Sequence, residues 1–347
     1  MADELRRRHP RARIAFVGGR RGLESTLVPA AGYALRTLPL SGMKGASPAA
    51  RGAAAAAAGW ATIRCAVWML RKRPDLVIGA GGYASGPAVL AARVLGIRTL
   101  VIEQNHFPGA TNRWLAPRVD AVCVPSDAAR ERLGGRGIVT GNPVRPEFAR
   151  IGPPPGGAEL SILVSGGSRG ARSINLATVE ALPELARMAP PPRIVHQAGA
   201  GNERAVAEGY RGFPGRHEVR AFLDDMPRRL ADADLALCRA GATTLAELAA
   251  AGRPSILVPY PFAADDHQRW NAEAVRAAGA ATVVLDGEMT GSRLAAEIRA
   301  LAEDPDLRRR MADAARSLAR PDAAERIADV ADALLEGGTA GEVRRVP

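Results

Sequence analysis

Short runs of consecutive apolar residues alternate along this chain with longer stretches of helical periodicity. In the first half, strands are predicted at residues 13–17, 76–78, 99–102, 121–124 and 137–139. In the second half, strands are predicted at residues 161–164, 193–196, 218–220, 235–238, 255–258 and 282–285. Most of these runs are continuously apolar, which is typical of strands buried on both faces. Their alternation with helices predicts an α/β fold with parallel, doubly wound sheets.

A segment rich in proline and glycine separates the two groups of strands. Residues 141–146 read GNPVRP and residues 152–157 read GPPPGG, which does not fit the interior of a helix or strand. The 347 residues of the chain are enough for two domains. We therefore predict two Rossmann-like domains that face each other across a cleft. The expected boundaries are residues 1–144 for the first domain, 145–157 for a linker, 158–320 for the second domain, and 321–347 for a tail and a helix that returns to the first domain.

Two strands of the second half lead into helices through glycine-containing turns. The first turn reads SGGSRGA at residues 165–171, and the second reads RAGATT at residues 239–244. A turn of this kind directs backbone N–H groups and the positive end of the helix dipole toward one point, which favours an anion. The pair predicts a nucleoside diphosphate at the carboxyl edge of the second sheet. The alternative is that each turn only packs its helix onto the sheet.

The composition is that of an ordinary globular protein, with 47% hydrophobic and 24% charged residues. Cys65, Cys123 and Cys238 lie in or beside apolar runs and have no short paired spacing. They are expected to be buried thiols in a reducing compartment, which argues against a disulfide framework or a metal site. No apolar stretch reaches the ~18 residues that indicate a membrane span. We expect the protein to stay in the cytoplasm.

The net charge of +11 suits an anionic partner, either a nucleic acid or a membrane surface, whereas a compositional bias toward arginine, alanine, glycine and proline would give this charge without any partner. No nucleic-acid-binding motif occurs in the chain. Residues 43–73 combine Trp60, Trp68 and large aliphatic side chains with cations, and they contain no acid. Such a segment can lie in the headgroup layer of an anionic membrane. The alternative is a core-facing helix whose outer side is rich in arginine.

Three polar residues of the second half have spacings that suit a nucleotide sugar. Glu247 follows Thr244 and Thr243 by three and four residues, in the first turns of the helix after the second glycine turn. A carboxylate there can accept hydrogen bonds from ribose hydroxyls, or it can simply stabilise the helix dipole. Gln268 and Asn271 are three residues apart, and their amides suit sugar hydroxyls. A solvated polar helix start would show the same pattern.

Six strings occur in the order and spacing of one known family. They are GGYASGP at 81–87, EQN at 103–105, GNPVR at 141–145, GGSRGAR at 166–172, ATTLAE at 242–247 and HQRWN at 267–271. Over almost its whole length the chain resembles the MurG family of undecaprenyldiphospho-muramoylpentapeptide β-N-acetylglucosaminyltransferases, which have the two-domain GT-B fold. The resemblance implies an inverting hexosyltransferase that uses UDP-N-acetylglucosamine as donor and the undecaprenyl-linked lipid I as acceptor. It further implies a peripheral protein at the anionic, cytoplasmic face of the cell membrane, with no metal or other cofactor.

The resemblance also implies roles for the residues that match the family's motifs. The backbone at Leu223 would contact the uracil, Glu247 the ribose hydroxyls, and Asn105 with Gln268 the sugar hydroxyls. The full donor-binding set implied is Asn105, Arg145, Ser168, Leu223, Ala242, Thr243, Thr244, Leu245, Ala246, Glu247 and Gln268. The acceptor pyrophosphate would contact the loop residues Gly81, Gly82, Tyr83, Ser85 and Gly86.

The N-terminal end departs from the family's pattern. Members of the family begin with a strand, a Gly-Gly-Thr-Gly-Gly-His loop and a helix, and the loop carries acceptor contacts and the histidine proposed as general base. Here residues 3–8 match the end of that helix, and residues 13–17 match the second strand. We expect two neighbouring strands to lack ladder partners, and the family's loop to be encoded before Met1. His106, next to Asn105, is the histidine expected nearest the sugar.

Three functions agree with these features. The first is the peptidoglycan N-acetylglucosaminyltransferase. The second is another GT-B enzyme, either a glycolipid glycosyltransferase or a UDP-N-acetylglucosamine 2-epimerase, although the EQN string and the basic segment favour a lipid acceptor. The third is a UDP-sugar-binding protein without turnover, because the family's N-terminal loop is absent.

Overall fold

A computed structural model describes residues 1–19, 24–38, 48–82, 84–167 and 169–338 of the chain. The chain divides into two compact units. The first contains Met1–Asn142 and the helix that follows Pro321, and the second contains Pro143–Pro321. Residues 145–157, predicted as a linker, belong to the second unit, where Phe148 and Ile151 are buried in an apolar core.

The secondary structure alternates between strands and helices in both units. The strands are β1 (Ala15–Gly19), β2 (Ala34–Leu38), β3 (Leu76–Gly79), β4 (Arg98–Ile102), β5 (Ala121–Val124), β6 (Ile138–Val139), β7 (Ser161–Ser165), β8 (Arg193–Gln197), β9 (His217–Arg220), β10 (Leu235–Cys238), β11 (Ser255–Leu257) and β12 (Ala281–Val283). The helices are α1 (Ala2–Arg8), α2 (Glu24–Ala30), α3 (Pro48–Lys72), α4 (Ser85–Val94), α5 (Ala110–Leu115), α6 (Asp127–Arg132), α7 (Pro146–Ala149), α8 (Arg172–Leu185), α9 (Glu203–Gly209), α10 (Met226–Ala231), α11 (Ala242–Ala251), α12 (His267–Ala277), α13 (Gly291–Glu303), α14 (Pro305–Ser317) and α15 (Ala323–Leu335). Short 3-10 turns cover Ala116–Arg118, Ala264–Asp266 and Asp286–Glu288.

Every predicted strand is present, and no predicted end differs from the observed one by more than two residues. The structure adds β2, which the apolar pattern does not predict. β2 pairs with β1, and two of its five residues are exposed. A half-exposed strand of this kind does not need a continuous apolar run, so the pattern that marks buried strands passes over it.

In the second unit, six parallel strands form one sheet in the order β12-β11-β10-β7-β8-β9. Ile162 and Val164 of β7 pack into one core, whereas Leu163 between them packs into the other. Because successive side chains of a strand alternate between faces, this apolar run is covered by helices on both sides. β7 and β10 are neighbours. The two glycine turns that follow them therefore lie at the same edge of the sheet.

In the first unit, the described strands form two parallel sheets, β1-β2 and β3-β4-β5-β6. β1 and β3 each have a ladder partner on one side only among these strands, which agrees with the expected loss of ladder partners. α4 contacts both β1 and β3 and so connects the two sheets. α15 packs on the same unit, where Ile327 and Leu334 share an apolar core with Leu100 and Ile102 of β4.

The three cysteines are free and buried, as predicted. Burial raises the pKa of the Cys123 and Cys238 thiols to about 12, so both remain protonated at neutral pH. Among the residues that the structure describes, no group of three or more His, Cys, Asp or Glu side chains is placed to bind a metal ion.

Candidate active site

The first glycine turn joins β7 to α8 in the second unit. A side chain on Gly166 would collide with the backbone of Ala171, and one on Gly170 would collide with the carbonyl of Ala198. The close packing therefore requires glycine at both places. α8 has no side-chain cap at its N-terminus, and uncapped N–H groups of a first helical turn suit an anion. Ser168, implied by the resemblance to contact the diphosphate, lies outside the described residues.

The second glycine turn joins β10 to α11, with Gly241 immediately before the helix. α11 also lacks a side-chain cap. Asn271 on α12 is completely buried and donates a hydrogen bond from Nδ2 to the Ala240 carbonyl at 3.2 Å. The predicted contact of Asn271 with sugar hydroxyls is therefore wrong, because its side chain supports the turn from the protein interior.

A cavity of about 590 Å³ lies between the two turns. Residues of both turns line it, together with Tyr260, Phe262 and Gln268. Its charged lining residues are Arg169, Arg172, Arg239 and Asp286. Two helix N-termini and three guanidinium groups thus surround one space, and this excess of positive charge suits a phosphate-bearing ligand.

The Arg239 guanidinium connects several elements in the wall of this cavity. It donates hydrogen bonds to the Asp286 carboxylate and, at 3.0 Å, to Ser173 Oγ on α8. Two further bonds reach the carbonyls of Val258 and Pro259, at 3.2 and 3.3 Å. Ser173 also donates to Asp286 at 2.6 Å. Sequence reasoning missed this cluster, which holds the start of the second turn against the helix of the first.

Glu247 lies in a smaller cavity of about 50 Å³, which shares Ser165 and Thr244 with the larger one. Burial raises the pKa of the Glu247 carboxyl group, and the positive charge of Arg145 opposes this shift. The Arg145 guanidinium lies over the Phe148 ring, 5.0 Å from its centroid. The second unit thus places Arg145 and Glu247, both implied by the resemblance, within electrostatic reach of each other.

The other residues of the second unit that the resemblance assigns to the nucleotide sugar differ in burial and in hydrogen bonding. Gln268 lines the larger cavity, and its side-chain oxygen accepts the Tyr260 N–H at 3.0 Å. Leu223 is buried, and its N–H donates to Gln197 Oε1 at 2.9 Å. Along α11, Thr243 is exposed, Ala242 and Ala246 are half-buried, and Leu245 is buried in the core. The side chain of Leu245 therefore contributes packing, and any ligand contact there must come from the backbone.

In the first unit, the loop before α4 has features of an anion-binding turn. Gly81 and Gly82 have φ angles of +84° and +76°, a region that favours glycine. α4 begins at Ser85 without a side-chain cap, and the buried Ser85 Oγ has no hydrogen-bond partner among the described residues. This hydroxyl packs against Gly79 of β3, where an added side chain would collide with it. Gly86 is the second residue of this helix, and Tyr83 lies outside the described residues.

Asn105 and His106 lie in the loop that follows β4 in the first unit. The buried Glu103 carboxylate accepts hydrogen bonds from the backbone N–H and Nδ2 of Asn105, at 2.7 and 3.0 Å. His106 Nδ1 lies 2.8 Å from Ser126 Oγ. Burial, and secondarily the positive charge of Arg132, lowers the pKa of His106. The imidazole is therefore held in its neutral form at physiological pH.

The helix α3 carries an exposed apolar stripe formed by Trp60, Ile63, Val67 and Leu70. Between 44% and 62% of each of these residues is exposed. Their spacing of three, four and three residues places them on one helical face. No helix of the described residues has the length and apolarity to cross a bilayer.

Basic side chains flank the stripe. The Arg64 guanidinium lies over the Trp60 ring, 4.8 Å from its centroid. The helix ends in the exposed residues Arg71 and Lys72. Trp68 does not share the exposed face, because it is half-buried against the core of the first unit. Eight residues rotate an α-helix by about 80°, which turns Trp68 away from the face that carries Trp60.

Comparisons with known proteins agree with these features. The family model of the glycosyltransferase family 28 N-terminal domain matches residues 1–124. The model of the glycosyltransferase family 28 C-terminal domain matches residues 161–327. A UDP-N-acetylglucosamine--N-acetylmuramyl-(pentapeptide) pyrophosphoryl-undecaprenol N-acetylglucosamine transferase from Anaeromyxobacter sp. (strain Fw109-5) is 42% identical over 355 residues. The alignment covers 99% of this chain and 92% of that relative.

Solved structures give the same picture. MurG of Acinetobacter baumannii is 30% identical and superposes with a TM-score of 0.74, over 97% of this chain and 95% of that one. A UDP-GlcNAc 2-epimerase from Neisseria meningitidis has a TM-score of 0.67 over 96% of this chain and 97% of its own, but at 13% identity the likeness shows the fold alone. Because both family 28 domains match and the identity extends over almost the whole chain, this chain belongs to the MurG family of glycosyltransferases and has the predicted GT-B fold.

Proposed function

We propose that this chain transfers N-acetylglucosamine from UDP-N-acetylglucosamine to the muramoyl 4-hydroxyl of undecaprenyl-pyrophosphoryl-muramoyl-pentapeptide. The observation that carries the proposal is the cavity of the second unit, where two uncapped helix N-termini and three arginines meet. A nucleoside diphosphate is the part of the donor that this charge distribution recognises. Family membership supports the remaining identity of donor and acceptor, which the relative from Anaeromyxobacter carries in its name.

In this proposal the residues around the cavity orient the donor. The Glu247 carboxylate accepts hydrogen bonds from the ribose hydroxyls. Burial raises the pKa of Glu247, and the positive charge of Arg145 favours its ionised form. The first turns of α8 and α11 donate backbone N–H groups to the diphosphate. Gln268, in the lining of the same cavity, is assigned to a sugar hydroxyl. Asn105 of the first unit has the same assignment, with Glu103 fixing its side chain.

The reaction is a displacement at the anomeric carbon. The oxygen of the acceptor hydroxyl forms a bond to this carbon while the bond from the carbon to the diphosphate breaks, which inverts the configuration from α to β. UDP leaves with the electron pair of the broken bond, and the negative charge that develops on it is stabilised by the helix N-termini and by Arg169 and Arg172. The hydroxyl proton passes to a general base. His106 is one candidate, because it lies beside Asn105 in the sequence and its imidazole is neutral at physiological pH, although burial makes it a weaker base than a free imidazole.

The acceptor is assigned to the first unit. Its pyrophosphate would meet the first turn of α4, which has no side-chain cap and follows the glycine loop. Gly81, Gly82 and Gly86 allow the backbone to approach a phosphate closely, because they carry no side chain. A free pyrophosphate and a lipid-linked one have the same recognition chemistry at this loop.

The exposed stripe of α3 is assigned to the membrane surface that holds the acceptor. Trp60, Ile63, Val67 and Leu70 provide apolar area for the acyl boundary, and Arg64, Arg71 and Lys72 provide cations for anionic headgroups. Aromatic and aliphatic side chains beside cations are the pattern of interfacial helices. We therefore propose peripheral binding at an anionic bilayer.

A transfer assay tests the proposed function. The full chain is incubated with radiolabelled UDP-N-acetylglucosamine and a short-chain lipid I analogue, and the products are separated by chromatography. The expected product is the β-linked disaccharide on the lipid, and the Glu247→Ala variant should form much less of it. Release of free 2-epimer without disaccharide would identify an epimerase. UDP-sugar binding with neither product would identify a binding protein without turnover.

A further inference from the structure

Gln197, the last residue of β8, connects two loops of the second unit through one buried side chain. Only 2% of Gln197 is exposed. Its Oε1 accepts the Leu223 N–H at 2.9 Å, and its Nε2 donates to Ser165 Oγ at 3.3 Å. Because a backbone N–H requires an acceptor, the bond to Leu223 fixes which end of the amide is the oxygen.

The two partners of Gln197 belong to segments with different tasks in the proposed function. Ser165 ends β7, and its Oγ also accepts the Gly167 N–H at 3.3 Å, so it forms part of the first glycine turn. Leu223 lies in the loop after β9, where the backbone is assigned to the base of the nucleotide. β8 lies between β7 and β9 in the sheet. Gln197 is thus placed to set the position of the base-binding loop relative to the diphosphate-binding turn.

The bond to Leu223 also determines what the loop offers to a base. The Phe222–Leu223 peptide is trans, so its N–H and C=O point in opposite directions. With the N–H directed at buried Gln197, the Phe222 carbonyl faces away from that side chain. Because the Leu223 N–H is already bonded to Gln197, the Phe222 carbonyl is the group of this peptide that can bind a base, as a hydrogen-bond acceptor. An acceptor complements the N3–H of uracil, whereas N3 of cytosine has no proton.

We propose that Gln197 is a positioning residue that gives the second unit its preference for a uracil base and aligns that base with the diphosphate turn. The inference rests on the proposed use of a UDP-linked donor. Gln197 acts through Leu223 and Ser165 and has no assigned contact with the ligand.

Titration calorimetry of the full chain with UDP, CDP and inorganic pyrophosphate tests this role. Gln197→Met keeps the size of the side chain and removes both hydrogen bonds. We expect UDP to bind about tenfold more weakly, as for the loss of one hydrogen bond, and the ratio of UDP to CDP affinity to fall toward one. Ser165→Ala severs only the link to the turn, so it should weaken all three ligands by a similar factor and leave the ratio unchanged.

Two further variants separate positioning from simple stability. Thr178→Val removes another buried hydrogen bond of this unit, from Thr178 Oγ1 to the Ile174 carbonyl at 2.7 Å, and should leave the ratio unchanged. Gln197→Glu retains an acceptor for the Leu223 N–H and should retain the ratio even if Gln197→Met does not fold. An unchanged ratio in Gln197→Met, or a lost ratio in Gln197→Glu, would overturn the proposal. Failure of the proposed UDP-linked donor has a different signature, since the wild-type chain would then bind none of the three ligands, and the role of Gln197 would fall with it.

Discussion

Arg239 donates a hydrogen bond to the Asp286 carboxylate in the wall of the cavity of the second unit. The two side chains are 14% and 23% exposed, so solvent screens their charges only in part. Among the lining residues of this cavity, Asp286 carries the negative charge, whereas Arg169, Arg172 and Arg239 carry positive charges. Its negative charge opposes a bound diphosphate and also neutralises Arg239.

Replacement of Asp286 by Asn should therefore tighten UDP binding. The amide oxygen still accepts a bond from Arg239, while the repulsion between the carboxylate and the diphosphate disappears. We expect a gain of about 1 kcal/mol in binding free energy at low salt, measured by calorimetry. Asp306→Asn is the matched control, because Asp306 is exposed on α14 beside Arg309. UDP affinity no higher in Asp286→Asn than in the control would contradict this assignment.

Glu247→Ala should weaken UDP binding by about 2 kcal/mol, because charge-assisted hydrogen bonds to the ribose are lost. Calorimetric titration with UDP gives this value directly. Glu273→Ala is the matched control, since Glu273 lies on the neighbouring helix α12 and pairs with Arg276. The same dissociation constant for both variants would rule out a ribose contact by Glu247.

Glu247→Gln should bind UDP weakly and yet fold more stably at pH 7. Burial raises the pKa of Glu247 in the folded state. Above this raised pKa the carboxylate is ionised and its burial opposes folding, whereas below the ordinary value near 4.5 the group is neutral in both states. The stability advantage of Glu247→Gln should therefore be present at pH 7 and vanish below about pH 4.5. Urea denaturation of both proteins across this range measures it.

Acid should destabilise the second unit through His196. This imidazole is fully buried between Tyr210 and Asn175, and burial lowers its pKa from 6.5 to about 4. Between these values the unfolded chain binds a proton that the folded chain does not, so stability falls as the pH falls from 6.5 to 4. The loss is about 3 kcal/mol. In urea denaturation, His196→Gln should flatten this slope and His217→Gln on β9 should retain it; equal slopes in both variants would contradict the role of His196.

Binding to anionic vesicles should depend on the stripe of α3. Replacing Arg71 and Lys72 by Gln should lower the binding free energy by about 1 kcal/mol for each charge, and added salt should have a similar effect. Ile63→Glu should abolish most of the binding, because a charge in the apolar stripe must be desolvated. Val94→Glu is the control, since Val94 is 74% exposed at the end of α4. Sedimentation that responds equally to Ile63→Glu and Val94→Glu would exclude the stripe as the membrane contact.

The strands and the two glycine turns were predictable from the sequence because their determinants are local. A continuous apolar run and the glycines after it lie within about ten residues, as at β10 and the turn before α11. The place of Glu247 follows from the same local pattern, since it lies one turn into the helix. The family was also predictable from the sequence, because six short motifs occur in the order and spacing that its members share.

The orientation of helices was not predictable in the same way. Gln268 and Asn271 share a helical face in sequence, yet Gln268 lines the cavity while Asn271 is buried beneath the turn. The difference arises from how α12 packs, which no local pattern encodes. The Arg239 cluster has the same origin, because its partners Ser173 and Asp286 are 66 and 47 residues away in sequence. Contacts between residues so far apart in sequence form only when the sheet has brought the ends of its strands together.

The division of the first unit into two sheets has a consequence for local unfolding. β1 and β2 pair only with each other among the described strands, whereas β7 lies between β8 and β10. Amides of Ala15–Gly19 should therefore exchange with solvent deuterium through small openings, long before those of β7, whose release requires the six-stranded sheet to come apart. The N-terminal pair of strands is thereby expected to form a separate cooperative element, with a free energy of opening well below that of the sheet that carries the nucleotide site.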